Sequence, residues 1–451
     1  MLILYKLKTI QMGKIAMKIA FIRPSMFAIA TKDVMYPLVF AIAKAMTPSD
    51  VEILFYDERV EKLPDDIESD YIVMTVDTFT AKRAYQLADS YRKKDKKVIM
   101  GGLHPSACPE EALCHADSVM IGEIENTWNN LIEDIKNNKL QKRYESDVLV
   151  DLSKIKYDYS AFDRKKYNKI GLIQFSRGCK FACEFCSVHA FFKNSIRTKS
   201  IDVVLNEIKQ LKEKFIFFID DNLFSNEEEA KKLFKAMIPL KKKWFCQISL
   251  DVAKNKELLK LMRKSGCSIA LIGFESLNID NLKQMGKGAN IKYNNYKEMI
   301  KNLNEAGIMI YGTFVIGYDS DTKETAEKLA DFAIQNKFAA ANFNPLMPMP
   351  ATKLYDRLKN ENRLLCENWW IDENYHYGDG LFKPQNMTSE ELMESCKNAR
   401  FKFNSNFNIL KRFLNFKSNL KGFTNPFLFI YMNIVCKIEV KRKQGKRLGK
   451  N

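Results

Sequence analysis

GLIQFSRGCKFACEFCSV, residues 171–188, joins a short apolar run to three cysteines, Cys179, Cys183 and Cys186. The run reads as a strand, and the CxxxCxxC spacing after it lets one loop turn three thiolates toward a compact metal centre. A structural zinc site usually takes four protein ligands, and no fourth cysteine or histidine has a comparably convincing position. His189, only three residues past Cys186, is better read as an ordinary loop residue. Three thiolates on a cubane iron–sulfur cluster instead leave one iron open for a substrate or cofactor.

Outward from this stretch the pattern repeats. FIFFIDD (215–221), WFCQISL (244–250), SIALIGFES (268–276), MIYGTFVIGY (309–318) and AAANFNPLMP (339–348) are apolar runs separated by segments of helical spacing. Six strands alternating with helices predict a partial (β/α)6 barrel over residues 169–350, with reactive groups at the carboxyl ends of its strands. The cysteines follow the first of these ends. Asp220, Asp221 and Asn222 fall at the second, Gln247 and Ser249 near the third, Glu275 and Ser276 at the fourth, and Gly317 at the next. Each has a plain alternative as a turn or helix cap. Alternation puts Gln247 and Ser249 on one face without saying which.

Upstream, KIAFIRPS (18–25), VEILFYDE (51–58), YIVMTV (71–76), KVIMGG (97–102) and SVMIG (118–122) are further short apolar runs with helical segments between them. Continuous rather than alternating apolar runs argue for a parallel sheet covered on both faces. The fold class is therefore α/β. A doubly wound parallel sheet (18–150) precedes a linker (151–168), the partial barrel (169–350) and a mainly helical C-terminal region (351–451) that shapes the substrate cavity and ends in a basic tail. Residues 1–17 read as a flexible extension without a secretory signal.

The chain has 451 residues and ten cysteines, too few for a disulfide framework at this length, which fits a reducing cytoplasm. The cysteines outside the triplet read as ordinary thiols. Trp128, Trp369 and Trp370 read as packing residues, with the adjacent pair also placed to line a cavity. Lysine and arginine exceed the acids by 72 to 55, a formal charge of +17. No zinc-finger spacing or basic-aromatic motif accompanies that excess, so nucleic acid is not the expected partner. NPFLFIYMNIVCKI followed by KRKQGKRLGK near the end is too short in apolar residues to span a bilayer. It has two readings: a helix packed on the barrel with a disordered basic tail, which is favoured, or an amphipathic element at an anionic membrane surface.

The cysteine loop and the strand before it resemble the radical SAM superfamily, over roughly residues 171–350. The resemblance implies that Cys179, Cys183 and Cys186 hold a [4Fe–4S] cluster and that the open iron chelates S-adenosylmethionine (SAM). One electron from a donor such as flavodoxin or ferredoxin then cleaves SAM to a 5′-deoxyadenosyl radical. By the same resemblance Phe185 packs near adenine, and Asp221, Ser249, Glu275, Ser276 and Gly317 border SAM. Residues 18–148, with GGLHPSACPEEAL (101–113) and HADSVMIGEIENTW (115–128), resemble the cobalamin-binding domain of many radical SAM proteins. Gly101, Gly102 and Gly122 then admit the corrin or its tail, and Glu123 orients a polar group. The DxHxxG signature is absent, RPSMFAIA standing in its place, and His104 is not expected to ligate cobalt.

The organisation is similar to hopanoid-methylase-like enzymes, through SRGCKFACEFC, FFIDDNLFSNEEEAKKL, IALIGFES and PATKLYDRL. This implies a cobalamin-dependent C-methyltransferase acting on an unactivated carbon of a lipid-like or other hydrophobic substrate. Two other classes stay open: a radical rearrangement, cyclisation or C–C or C–S coupling without methyl transfer, and an iron–sulfur electron-transfer protein. RNA modification is a further runner-up. The residue that quenches the substrate radical is not assigned.

Overall fold

The computed structural model describes residues 17–27, 34–192, 195–292 and 295–449. Residues 1–16 of the expected extension lie outside that range; Met17 belongs to the first strand.

The front sheet has six strands: β1 (Met17–Arg23), β2 (Val51–Asp57), β3 (Tyr71–Thr75), β4 (Lys97–Gly101), β5 (Ser118–Met120) and β6 (Arg143–Tyr144). All neighbours are parallel, in the order β2-β1-β3-β4-β5-β6. Ile19, Ala20, Phe21 and Ile22 are all buried, as a sheet covered on both faces requires. Trp128 fills one side, stacked 5.6 Å from Phe21. The chain leaves β1 for β2 on one flank and returns to β3 on the other. A crevice therefore opens at the carboxyl ends of β1 and β3, the usual ligand position in such sheets.

The second sheet runs β14-β13-β12-β11-β10-β7, again wholly parallel. Its strands are β7 (Ile170–Ile173), β10 (Phe215–Phe218), β11 (Lys243–Ile248), β12 (Cys267–Glu275), β13 (Met309–Ile316) and β14 (Ala340–Pro345). Among the described residues β7 and β14 do not pair, so the sheet is an open arc. A small antiparallel hairpin, β8 (Ser176–Arg177) with β9 (Arg197–Thr198), brackets the cysteine segment. Along β11 the buried residues Trp244, Cys246 and Ile248 join the helix-facing core, while Phe245 and Gln247 stay partly open on the concave side.

Two readings from sequence change. Residues 151–168 are not a plain linker but three successive 3-10 turns capped by Asp151, Asp158 and Asp163. Their aromatics Tyr159, Phe162 and Tyr167 surround Tyr36 of the front domain. The basic tail is also ordered: after the helix Thr424–Lys443, Leu448 is buried against the front domain and Gly449 N donates to Met26 O. Trp369 and Trp370 are core residues whose indole N–H groups donate to Pro348 O and Glu111. No helix among the described residues is long and apolar enough to cross a membrane.

Candidate active site

The cysteine loop is held from three sides. Asp220, at the end of β10, is fully buried and accepts from Phe175 N, Ser176 N and Ser176 Oγ. Burial pushes its carboxyl up to about 7 against those three donors. Asp221 accepts from Gly178 N at 2.8 Å, with φ at Gly178 of +90°. A Cβ at Gly178 would sit 1.8 Å from Ser195 O, so only glycine fits this turn. Asp221 therefore faces the backbone that presents Cys179.

Asn222 lies beneath the first cysteine, its Nδ2 at 3.7 Å from Cys179 Sγ and 3.3 Å from Ser249 Oγ. Ser249 Oγ in turn donates to Asp251, whose other oxygen meets Lys180 Nζ at 3.0 Å. Ser249 is thus on the cysteine side of β11, which settles the face that alternation left open. Near Cys183 and Cys186, whose thiols feel its charge, Lys287 pairs with the buried Glu275 at 2.9 Å. Burial pushes the Cys183 thiol up to about 11, with Lys287 pulling the other way. Burial also raises Cys186, against N–H donors from His189 and Val188 at the start of the next helix. A Cβ at Gly273 would lie 2.2 Å from Glu275 Oε1, so that glycine makes room for the ion pair. Glu275 adopts φ +62°, a strained conformation for a non-glycine residue.

Phe185 packs on the barrel core, with Lys287 Nζ 5.9 Å from its ring centre. Ser276 is buried, and its Oγ accepts from Asn278 N as a helix-start turn. Gly317, φ +122°, faces Phe382 and Leu392 at 2.9 and 3.0 Å from a notional Cβ, so its missing side chain serves packing rather than an open cavity.

The donor chemistry suits an iron–sulfur cluster. Three free cysteines stand on one loop with an amide beside one sulfur, helix N–H groups at another and the half-buried Lys287 ammonium nearby. Among the described residues no three His, Cys, Asp or Glu side chains converge as a single metal ion would require. Cys179, Cys183 and Cys186 could hold such a cluster.

Beside the helix that follows the cysteines lies a cavity of about 590 Å³ between the two domains. Phe79, Leu103, Ile121 and Gly122 line it from the front domain, Phe191 and Phe192 from the helix after the cysteines, and Met349 from the segment after β14. A second cavity of about 360 Å³ runs over the carboxyl ends of β1, β3, β4 and β5, sharing Gly122, Glu123 and Phe191. Gly122, φ +86°, has nothing within 4 Å of a notional Cβ, so a ligand can approach its backbone. Gly101 and Gly102 line the second cavity as well, and a Cβ at Gly102 would meet Val76 O at 2.7 Å, so that glycine also brings β4 against β3. Gly101 lies against Met120. Glu123 is spoken for, since it pairs with Arg177 and with Arg197 at 2.7 Å. It ties the front domain to both strands that bracket the cysteines, a link that sequence reasoning missed because its partners lie more than fifty residues away. Of the region 351–451, expected to shape the cavity, Ala351 lines the larger one. His104 is fully buried with Tyr85 and Glu111, away from both.

Residues 173–333 match the model of the radical SAM superfamily. The chain belongs to that superfamily, and it is an enzyme with methyltransferase-like activity. It is 31% identical over 372 residues to bacteriochlorophyllide d C-12(1)-methyltransferase of Chlorobaculum tepidum, covering 80% of each chain. It is 27% identical to hopanoid C-2 methylase of Rhodopseudomonas palustris, covering 74% of this chain and 66% of the relative. The expected likeness to hopanoid methylases thus widens to methyltransferases that include the bacteriochlorophyllide type. Among solved structures, the radical SAM methyltransferase TsrM of Kitasatospora setae, with cobalamin and a [4Fe–4S] cluster bound, superposes with a TM-score of 0.62 over 84% of each chain. At 14% identity this likeness is one of fold.

Proposed function

We propose that the protein is a cobalamin-dependent radical SAM C-methyltransferase that acts on an unactivated carbon of a large apolar molecule. The observation that carries this reading is the pair of adjoining cavities that share Gly122, Glu123 and Phe191 and lead from the carboxyl ends of β1 and β3 to Arg177 and the helix after the cysteines. When bound, a [4Fe–4S] cluster supplies the electron that splits SAM, and a cobalamin supplies the methyl group. Everything else is work for the chain. Cys179, Cys183 and Cys186 hold the cluster. Lys287 and Glu275 place a charge pair where the amino and carboxylate groups of SAM would lie, and Phe185 offers a flat face for adenine. Gly122 leaves the front crevice open to the corrin. Phe79, Leu103, Phe191, Phe192 and Met349 give the space between an apolar wall beside Asp77, Glu145 and Arg197, which suits a mostly apolar substrate. A flavodoxin- or ferredoxin-like protein would deliver the electron.

The relatives named for bacteriochlorophyllide and hopanoid substrates support a bulky, mostly apolar substrate. The test is to incubate the reconstituted enzyme and a low-potential reductant with methyl-deuterated SAM and candidate tetrapyrroles and isoprenoid lipids. A labelled methyl on a product carbon, with 5′-deoxyadenosine formed alongside, supports the reading. Turnover of a substrate to an isomer or a crosslinked product without the label would replace it with radical rearrangement or coupling.

A further inference from the structure

Eleven of the eighteen exposed large apolar side chains among the described residues fall between residues 401 and 438. They are not scattered. On the helix Thr424–Lys443, Leu428 and Phe429 face the barrel, against Ile269, Met309 and Ala339. The opposite side presents Phe427, Ile430, Ile434 and Ile438, spaced as a stripe along one helical face. The helix is thus apolar on two sides, and only one is covered by the fold.

The neighbouring helix Asn406–Phe413 extends the same face. Lys437 Nζ donates to Asn406 Oδ1 at 2.6 Å, and the Phe413 and Phe429 rings meet at 5.3 Å, so the two helices lie side by side. Phe407 is 75% exposed, and the connecting loop adds Phe416 at 76% and Phe423 fully exposed. Contiguous apolar surface on this scale marks an interaction site.

Charge selects the occupant. From residue 401 to 449 the chain has eleven lysines and arginines and one acidic residue, Glu439. A second copy would set this basic face against itself. Nucleic acid would leave the aliphatic stripe Ile430–Ile434–Ile438 without a stacking partner. An apolar strip with Lys411 and Lys441 beside it, Lys417 and Lys421 being drawn to Glu305, is the combination that anionic lipid recognises: side chains enter the acyl boundary while ammonium groups meet headgroups.

We propose that the face formed by the helices Asn406–Phe413 and Thr424–Lys443 docks on a bilayer surface carrying anionic lipid. The contact is interfacial, since no described helix can span. Because Ile269, Met309 and Ala339 lie at the amino ends of β12, β13 and β14, docking occurs at the end of the barrel opposite the cysteine loop.

The test is flotation of the full chain with vesicles of phosphatidylcholine alone or mixed with phosphatidylglycerol. We expect binding to the mixed vesicles that weakens with salt. Replacing Phe416, Phe423 and Phe427 by Ser together, or Lys411 and Lys441 by Gln together, should weaken it by about tenfold or more. The phenylalanines are exposed, so that variant should keep its thermal midpoint; if it does not, the lysine variant decides. Absence of binding to the mixed vesicles overturns the proposal. So does equal binding of both variants and the parent chain, a dimer in sedimentation that the Phe variant dissolves, or capture by RNA without capture by vesicles.

Discussion

Replacing Glu123 by Gln should loosen the cysteine loop without unfolding the front domain. The Glu123 carboxylate meets Arg177 and Arg197, and all three side chains are about one-tenth exposed. At 2.7 Å and an effective dielectric of about 20, one such pair is worth about 6 kcal/mol before desolvation is charged against it. Removing one partner of a buried pair typically costs about 3–5 kcal/mol. Gln keeps a hydrogen bond and Arg177 keeps Glu125 at 2.8 Å, so about 2 kcal/mol is expected. That corresponds to about 30-fold faster local opening. Hydrogen exchange at residues 176–178 reads it directly, because Ser176 N and Gly178 N are held by Asp220 and Asp221. Exchange in β1 and β3 should stay as it was. Glu110→Gln, at the exposed pair with Arg143, serves as the control and should change little. An acceleration below about threefold at 176–178, or an equal one through β1 and β3, would refute the reasoning.

Alanine at Cys179, Cys183 or Cys186 should each abolish iron retention after anaerobic reconstitution, measured by iron analysis. Alanine at the buried Cys246 or Cys396 should retain iron and lower stability by about 1 kcal/mol. Gly273→Ala drives a methyl into the Glu275–Lys287 pair and should weaken SAM binding by at least about tenfold, read by equilibrium dialysis with an intact cluster. Burial holds the Asp321 carboxyl up to about 6, although Gly317 N, Tyr318 N and Asn281 Nδ2 donate to it. The folded chain therefore binds this proton more tightly than the unfolded chain, whose carboxyl titrates near 4. Its contribution to stability falls as pH rises from about 4 to about 6 and is level above. Urea midpoints of the parent chain and Asp321→Asn should diverge across that window; parallel pH profiles would contradict it.

The strands were legible because burial on both faces writes itself as continuous apolar runs, as in Ile19–Ala20–Phe21–Ile22. The cysteine spacing was legible because it is local. What sequence could not supply was the assignment of polar groups at strand ends. Asp221 and Ser276 have the residue types of ligand contacts, yet their hydrogen bonds close on Gly178 N and Asn278 N. Whether such a group serves a turn or a ligand depends on where the next loop folds back. Gly102, Gly122 and Gly317 look alike in sequence, and only packing separates the one with open space from the two that admit a neighbouring backbone or side chain. Lys287 escaped notice as one lysine among many. Its signal is burial beside Glu275, which composition does not carry. The basic tail read as disordered for the same reason, since Leu448 finds its partners in the front domain.

The central claim, that the front crevice carries a cobalamin for methyl transfer, is tested most directly by binding. The anaerobically purified, cluster-reconstituted chain is given hydroxocobalamin, passed through gel filtration and read by its absorbance spectrum. About one cobalamin per chain is predicted, with loss of retention when Gly122, open in front of the crevice, is replaced by Trp. A folded chain with an intact cluster that retains no cobalamin would contradict the account and leave radical chemistry by SAM alone.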